Sequence, residues 1–168
     1  DYIRKYIPRL ASNITPVGSP LMAHCRLLRD TFGNDIRVVF VGPCISKKNE
    51  ADRNPALLNL AITYPELKQL LRENKIEPER LTPEEDDRFI PETAEEGAQY
   101  PVEGGMNDTL RDPKGGDIRY HAVSGLHNLA RLLKDPPEKI DTGSCKLFIE
   151  CLACSGGCVN GPVMPQND

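Results

Sequence analysis

Three cysteines crowd the stretch CLACSGGCVNGP, residues 151–162: Cys151, Cys154 and Cys158, with Gly156 and Gly157 inside the last interval. A fourth, Cys44, follows Pro43 far upstream. A thiolate is a metal ligand, and a glycine pair lets backbone N–H groups curl inward into an anion-binding nest. A tight curl would let Cys154 and Cys158 reach one compact cluster, with Cys44 supplying a third ligand from elsewhere. Three thiolates and a glycine curl suit an iron–sulfur cube better than a zinc ribbon, which would show two short cysteine pairs. Zinc held by Cys44, Cys151, Cys154 and Cys158 is the alternative. Cys25, on an amphipathic helix, and Cys145 read as packing residues, and Cys151 reads as core of a strand. His24, His121 and His127 are scattered without ligand spacing and read as surface or hydrogen-bonded groups.

The elements that must position these thiols are legible in outline. SPLMAHCRLLRDTFG predicts a helix, with Ser19 as cap, Pro20 in its first turn and Gly33 at its end. DIRVVFVGPC predicts a short buried parallel strand that ends at Gly42-Pro43. LLNLAITYPELKQLLRENKI predicts a strand, then a helix capped by Thr63, with Glu66 at the capping-box spacing, running to about Asn74. IRYHAVSG predicts another strand and LHNLARLLKD a helix. Pro136-Pro137 break the chain, and KLFIECLA predicts a last strand that delivers Cys151 and Cys154. Cys44 and Cys154 thus each follow a strand, at the carboxyl end where ligands collect in open α/β sheets. The expected division is a first lobe over residues 1–76, an acidic proline-bearing connection over 77–99, and a second lobe over 100–168.

Composition narrows the function. The 168 residues carry a net charge of −4, which argues against a nucleic-acid footprint. No apolar run approaches the roughly 18 residues of a membrane span. Six cysteines could staple a secreted scaffold, but four of them lie between Cys145 and Cys158, a clustering that favours metal or redox work in a reducing, cytoplasmic setting. The opening DYIRKYIPRL carries charges where a signal peptide needs an apolar core, so the chain reads as a piece of something longer.

The motifs resemble those of the iron-only ([FeFe]) hydrogenases. VGPCISKKNEAD, residues 41–52, is similar to the family's second signature, and ECLACSGGCVNGP to its third. YPVEGGM resembles the stretch that lines the active-site cavity, and AVSGLHNLARLL the strand and helix before the last signature. The resemblance implies an α/β domain of two lobes with mainly parallel sheets flanked by helices, and a cluster site between the lobes. It implies that Cys44, Cys154 and Cys158 ligate a [4Fe–4S] cube, with Gly156 and Gly157 shaping the site. It further implies that Cys158 bridges to a diiron subcluster carrying CO and CN ligands, that Lys47 hydrogen-bonds a cyanide, and that Glu50 orients or pairs with a basic neighbour.

Three departures from the family pattern bear on activity. The opening cysteine signature, which holds the fourth cube ligand and the proton-shuttling thiol, is absent, so the chain alone is expected to bind its cube poorly and to be inactive. Gly42 stands where catalytic members carry Met, and Leu152 replaces another Met. NGPVMP replaces the glycine-rich tail. These changes resemble the sensory branch, which implies detection of H2 or redox state in an anaerobe, with slow turnover or none. The implied partners are an upstream segment carrying the missing signature, and ferredoxin-like electron carriers or attached PAS and signalling modules. A non-catalytic iron–sulfur scaffold and a structural zinc module are the competing readings.

Overall fold

The computed structural model describes residues 2–84, 87, 89, 93–110, 117–134 and 146–164. It has two parallel two-stranded sheets, each with its own hydrophobic core. The first pairs β1 (Val39–Val41) with β2 (Leu60–Ile62), Phe40 opposite Ala61. The second pairs β3 (Ile118–Ser124) with β4 (Lys146–Leu152), Val123 opposite Cys151 and Ser124 opposite Leu152. Parallel neighbours require a crossover, and a helix supplies it in each described connection. The fold is α/β, as expected.

Helix α1 (Tyr2–Tyr6) opens the chain and α2 (Pro20–Phe32) follows. Ser19 caps α2 by accepting the Met22 N–H, Pro20 sits in the first turn, and Gly33 ends the helix at φ +87°. Its inner face places Met22 and Cys25 beside Val38, Ala51, Leu58 and Ala61 in the first core. Arg29 is also buried. Its guanidinium donates to the carbonyls of Asn34, Ile36 and Leu57 and to Asn59 Oδ1, which pins α2 to the loop before β2. A buried cation is tolerable only when its donors are satisfied in this way.

Helix α3 (Ser46–Arg53) links β1 to β2, and α4 (Tyr64–Glu73) follows β2. The capping box is present: the Glu66 N–H donates to Thr63 Oγ1, while the Thr63 N–H donates to Glu66 Oε2 at 2.8 Å. Lys48 of α3 also pairs with Glu66, and this cation, with the Thr63 donors, holds the Glu66 carboxyl down at about 2. Helix α5 (Gly105–Leu110) precedes β3, and α6 (Leu126–Lys134) crosses from β3 to β4. Leu129 and Leu133 of α6 pack with Val123 to form the second core.

Two features depart from the expected outline. Sequence pattern gave no sign of α1, α3 or α5, because each is too short to show an apolar period. Tyr2, Ile3, Ile7 and Leu10, although they fall within residues 1–76, pack on the second core, and Arg9 donates to the Leu133 carbonyl at 2.7 Å. The N-terminal segment therefore spans to the far sheet. Pro136-Pro137 and Cys145 lie outside the described residues, as do residues 85, 86, 88 and 90–92 of the acidic stretch, whose described part carries only short 3-10 turns. Among the described residues no helix is long and apolar enough to cross a membrane.

Candidate metal centre

The site forms where the carboxyl ends of both sheets meet. Cys44 lies three residues beyond β1 and just ahead of α3, whose N-terminal end favours anionic ligands. Cys154 lies two residues beyond β4, and Cys158 opens a 3-10 turn, Cys158–Asn160. Gly161 joins the two segments: a Cβ there would fall 2.7 Å from the Pro43 carbonyl oxygen and 3.0 Å from Pro43 Cβ. Only glycine permits this approach. The segment carrying Cys44 and the terminal glycine curl are therefore packed against each other.

The thiols feel one another. Burial pushes Cys158 up, the neighbouring Cys44 and Cys154 add to that push, and Lys47 pulls the other way. Burial also raises Cys154, with Cys44 again adding. All three are partly exposed and free of disulfides. Metal-free Cys154 and Cys158 therefore hold their protons above the ordinary thiol range near 8.5–9. Alkylation of the metal-free protein should be slow for both at pH 7 and climb steadily past pH 9, read site by site by mass spectrometry. A labelling rate that is already at its plateau by pH 8 would contradict the crowding of these thiols.

The glycine curl forms, with Gly156 at φ +75° and Gly157 at φ +109°. Its N–H groups differ from the expected nest. Gly156 N–H donates to Ser124 Oγ at 2.8 Å, Gly157 N–H to the Cys154 carbonyl at 3.1 Å, and Val159 N–H to the Pro101 carbonyl at 3.2 Å. These donors are consumed by the turn and by residues 101–124, so the glycines shape the curl without presenting those N–H groups to an anionic guest. Gly157 is pressed against Pro101 and Val102, where a Cβ would lie 2.2 Å from the Pro101 carbonyl oxygen. YPVEGGM thus serves as the wall behind the cysteine turn. Gly104, at φ +85°, and Gly105, where a Cβ would lie 1.9 Å from the Gln99 carbonyl oxygen, let that wall turn into α5.

Burial pushes both Cys158 and Cys25 up, and Lys47 sits close enough to oppose that push at each. Its Nζ is 2.6 Å from Glu50 Oε2, while Ser19 Oγ donates to the other carboxylate oxygen. Glu50 is thereby a bridge that ties the cap of α2 to the ammonium. Glu50 also lines a cavity of about 310 Å³ with Ser46, Asn49, Arg53 and Asn54. Cys25 is fully buried in the first core and Cys151 is partly buried against the second. His24, His121 and His127 are all exposed. Among the described residues no three His, Cys, Asp or Glu side chains are gathered tightly enough to grip one metal ion.

Sequence reasoning missed four contributors: Arg29, Gly161, Ser124 and Glu103. Gly161 had a visible signal, a glycine followed directly by Pro162, whereas the roles of the other three depend on contacts between distant segments.

Together the sheets, the close-packed Pro43 and Gly161, and three mutually influencing thiols define an α/β domain with a cysteine-lined junction. The family profile described as iron only hydrogenase large subunit, C-terminal domain, matches residues 1–162, and the chain belongs to that family. Iron hydrogenase 1 of Clostridium pasteurianum is 29% identical over 203 residues, covering 96% of this chain and 35% of that protein. An apo form of [FeFe]-hydrogenase HydA1 from Chlamydomonas reinhardtii is similar with a TM-score of 0.63 at 21% identity, over 99% of this chain and 59% of that one. HydA(deltaEFG), a structure that revealed stepwise H-cluster assembly, gives 0.61 at 20% identity over the same shares. The chain thus spans only about a third of the curated relative's length.

Proposed function

We propose that this chain holds a [4Fe–4S] cube through Cys44, Cys154 and Cys158, and that Cys158 also bridges to a diiron subcluster carrying CO and CN ligands. The observation that carries the reading is the contact of Pro43 with Gly161, which brings thiols from two distant segments into one electrostatic neighbourhood. Three free thiols drawn from two segments suit a cluster, whose ligand sulfurs surround a core larger than one zinc. The fourth corner of the cube falls to a ligand from a partner segment.

When bound, such a group supplies the interconversion of protons and electrons with H2. The protein's part is to hold, orient and shelter it. Lys47, close to Cys158 and fixed by Glu50, offers an ammonium to an anionic ligand such as cyanide, a charge-assisted bond that is strong away from water. The same lysine favours this reading over a scaffold without a diiron unit, where the ammonium beside Cys158 would have only Glu50 to pair with.

The protein works as a cytoplasmic H2 or redox sensor of an anaerobe, with slow turnover or none, coupled to a signalling module or a ferredoxin-like carrier. Gly42 supports this. A Cβ at position 42 would lie 2.5 Å from the Phe40 ring, so Phe40 fills the space that a methionine side chain needs. The test is to purify the protein anaerobically from its own host, count iron and record EPR spectra and CO and CN infrared bands. Iron with sulfide and those bands is the expected result. Stoichiometric zinc without iron would overturn the cluster, and iron–sulfur signals without the infrared bands would leave the scaffold reading in its place.

A further inference from the structure

The cysteine curl is braced by a chain of hydrogen bonds that starts and ends on one residue, Gly156. Gly156 N–H donates to Ser124 Oγ at 2.8 Å, and Ser124 Oγ–H in turn donates to Glu103 Oε2 at 2.7 Å. The Glu103 N–H then returns to the Gly156 carbonyl at 3.3 Å. Both backbone polar groups of Gly156, the residue midway between Cys154 and Cys158, are thus held by residues outside the curl. Ser124 is buried, only 5% exposed, and its one hydroxyl proton and an acceptor lone pair are both used. It ends β3 opposite Leu152, two residues before Cys154. The neighbouring backbone is equally close, since a Cβ on Gly125 would lie 2.8 Å from Ser155 Oγ.

We infer that Ser124 is the positioning residue of the ligand curl, anchored by Glu103, and that it sets the separation of Cys154 from Cys158. The sheet therefore transmits its rigidity to the sulfurs through a hydroxyl as well as through the close packing of Gly125 and Gly157. Where the cluster is held as proposed above, loosening this circuit widens the range of positions the two sulfurs sample. Glu103 is exposed, so its substitution reads the circuit with little risk to the core.

The experiment has two arms. In the metal-free protein, hydrogen exchange of the Gly156 amide is followed by NMR. Ser124→Ala should speed it about tenfold, the worth of one hydrogen bond, and leave β3 and β4 amides unchanged. Ser124→Thr, which keeps the hydroxyl, should restore the wild-type rate, and Glu103→Ala should fall between them. In the iron-loaded protein, Ser124→Ala should broaden the EPR envelope and hasten iron loss to a chelator, with Thr again rescuing both. Gly156 exchange unchanged in Ser124→Ala and Glu103→Ala would overturn the inference, as would an iron-loaded Ser124→Ala with wild-type EPR and release. A wild-type protein that takes up no iron would defeat the proposed function, and the exchange arm would still decide the role of Ser124.

Discussion

Cys44→Ala and Cys154→Ala are each expected to abolish iron–sulfur loading, while Cys25→Ala leaves it at the wild-type level. The contrast follows from where each sulfur sits. Cys44 and Cys154 come from opposite sides of the junction closed by Gly161 on Pro43, so either loss takes a corner of the core away from one side entirely. Cys25 faces Met22, Leu58 and Ala61 inside the first core, with no solvent access. Removing its sulfur leaves a small cavity and costs about 1 kcal/mol, on the scale of one or two buried methylenes. Iron and sulfide content, with circular dichroism to confirm the fold, reads the three variants side by side. A Cys25→Ala protein as depleted as the other two would show that the ligand set has been assigned to the wrong thiols.

How far the sequence foretold this arrangement depends on the range of the interaction. Ser19, Pro20 and Gly33 bounded α2, and Thr63 with Glu66 bounded α4, because capping is chemistry between residues three or four apart. The strands around Phe40, Ala61 and Val123 were legible as short apolar runs, since parallel strands bury both faces. The meeting of Cys44 with Cys154 and Cys158 was suggested by the places of Cys44 and Cys154 beyond strand ends and made specific by the family likeness; the Pro43–Gly161 contact brings the two segments together.

The remaining misses are long-range. Ser124, Glu103 and Arg29 look like ordinary polar residues along the chain, and their roles exist only through partners between 5 and 32 positions away. Tyr2 and Ile3 pack on the second core for the same reason: an apolar helix face shows that it will be buried, not against what. The inward-facing nest failed differently. The curl at Gly156 and Gly157 forms as expected, with positive φ at both, but the destinations of their N–H groups depend on Ser124 and on the turn's own carbonyl, which compete with any guest.

Gly157→Ala should be the most damaging single-methyl change at the site. The residue sits at φ +109°, where an L side chain is strained by about 1–3 kcal/mol before any contact is considered. The added Cβ would then lie 2.2 Å from the Pro101 carbonyl oxygen, 2.9 Å from Val102 Cα and 3.0 Å from the Glu103 nitrogen. All three are backbone atoms, so no rotamer change relieves the clash, and the curl must part from residues 101–103. That motion breaks the bridge between Val102 and Gly157 and the Gly156–Glu103 bond together, releasing the loop between Cys154 and Cys158. Gly33→Ala is the matched control: its φ is +87°, but nothing lies within 4 Å of the new methyl. Gly33→Ala, with backbone strain of about 1–3 kcal/mol alone, is expected to lower Tm by about 2–12 °C and to keep iron, whereas Gly157→Ala adds the clash to that strain, lowers Tm further and forfeits iron. Equal Tm shifts with full iron in both variants would mean that the wall formed by residues 101–103 does not hold the cysteine turn.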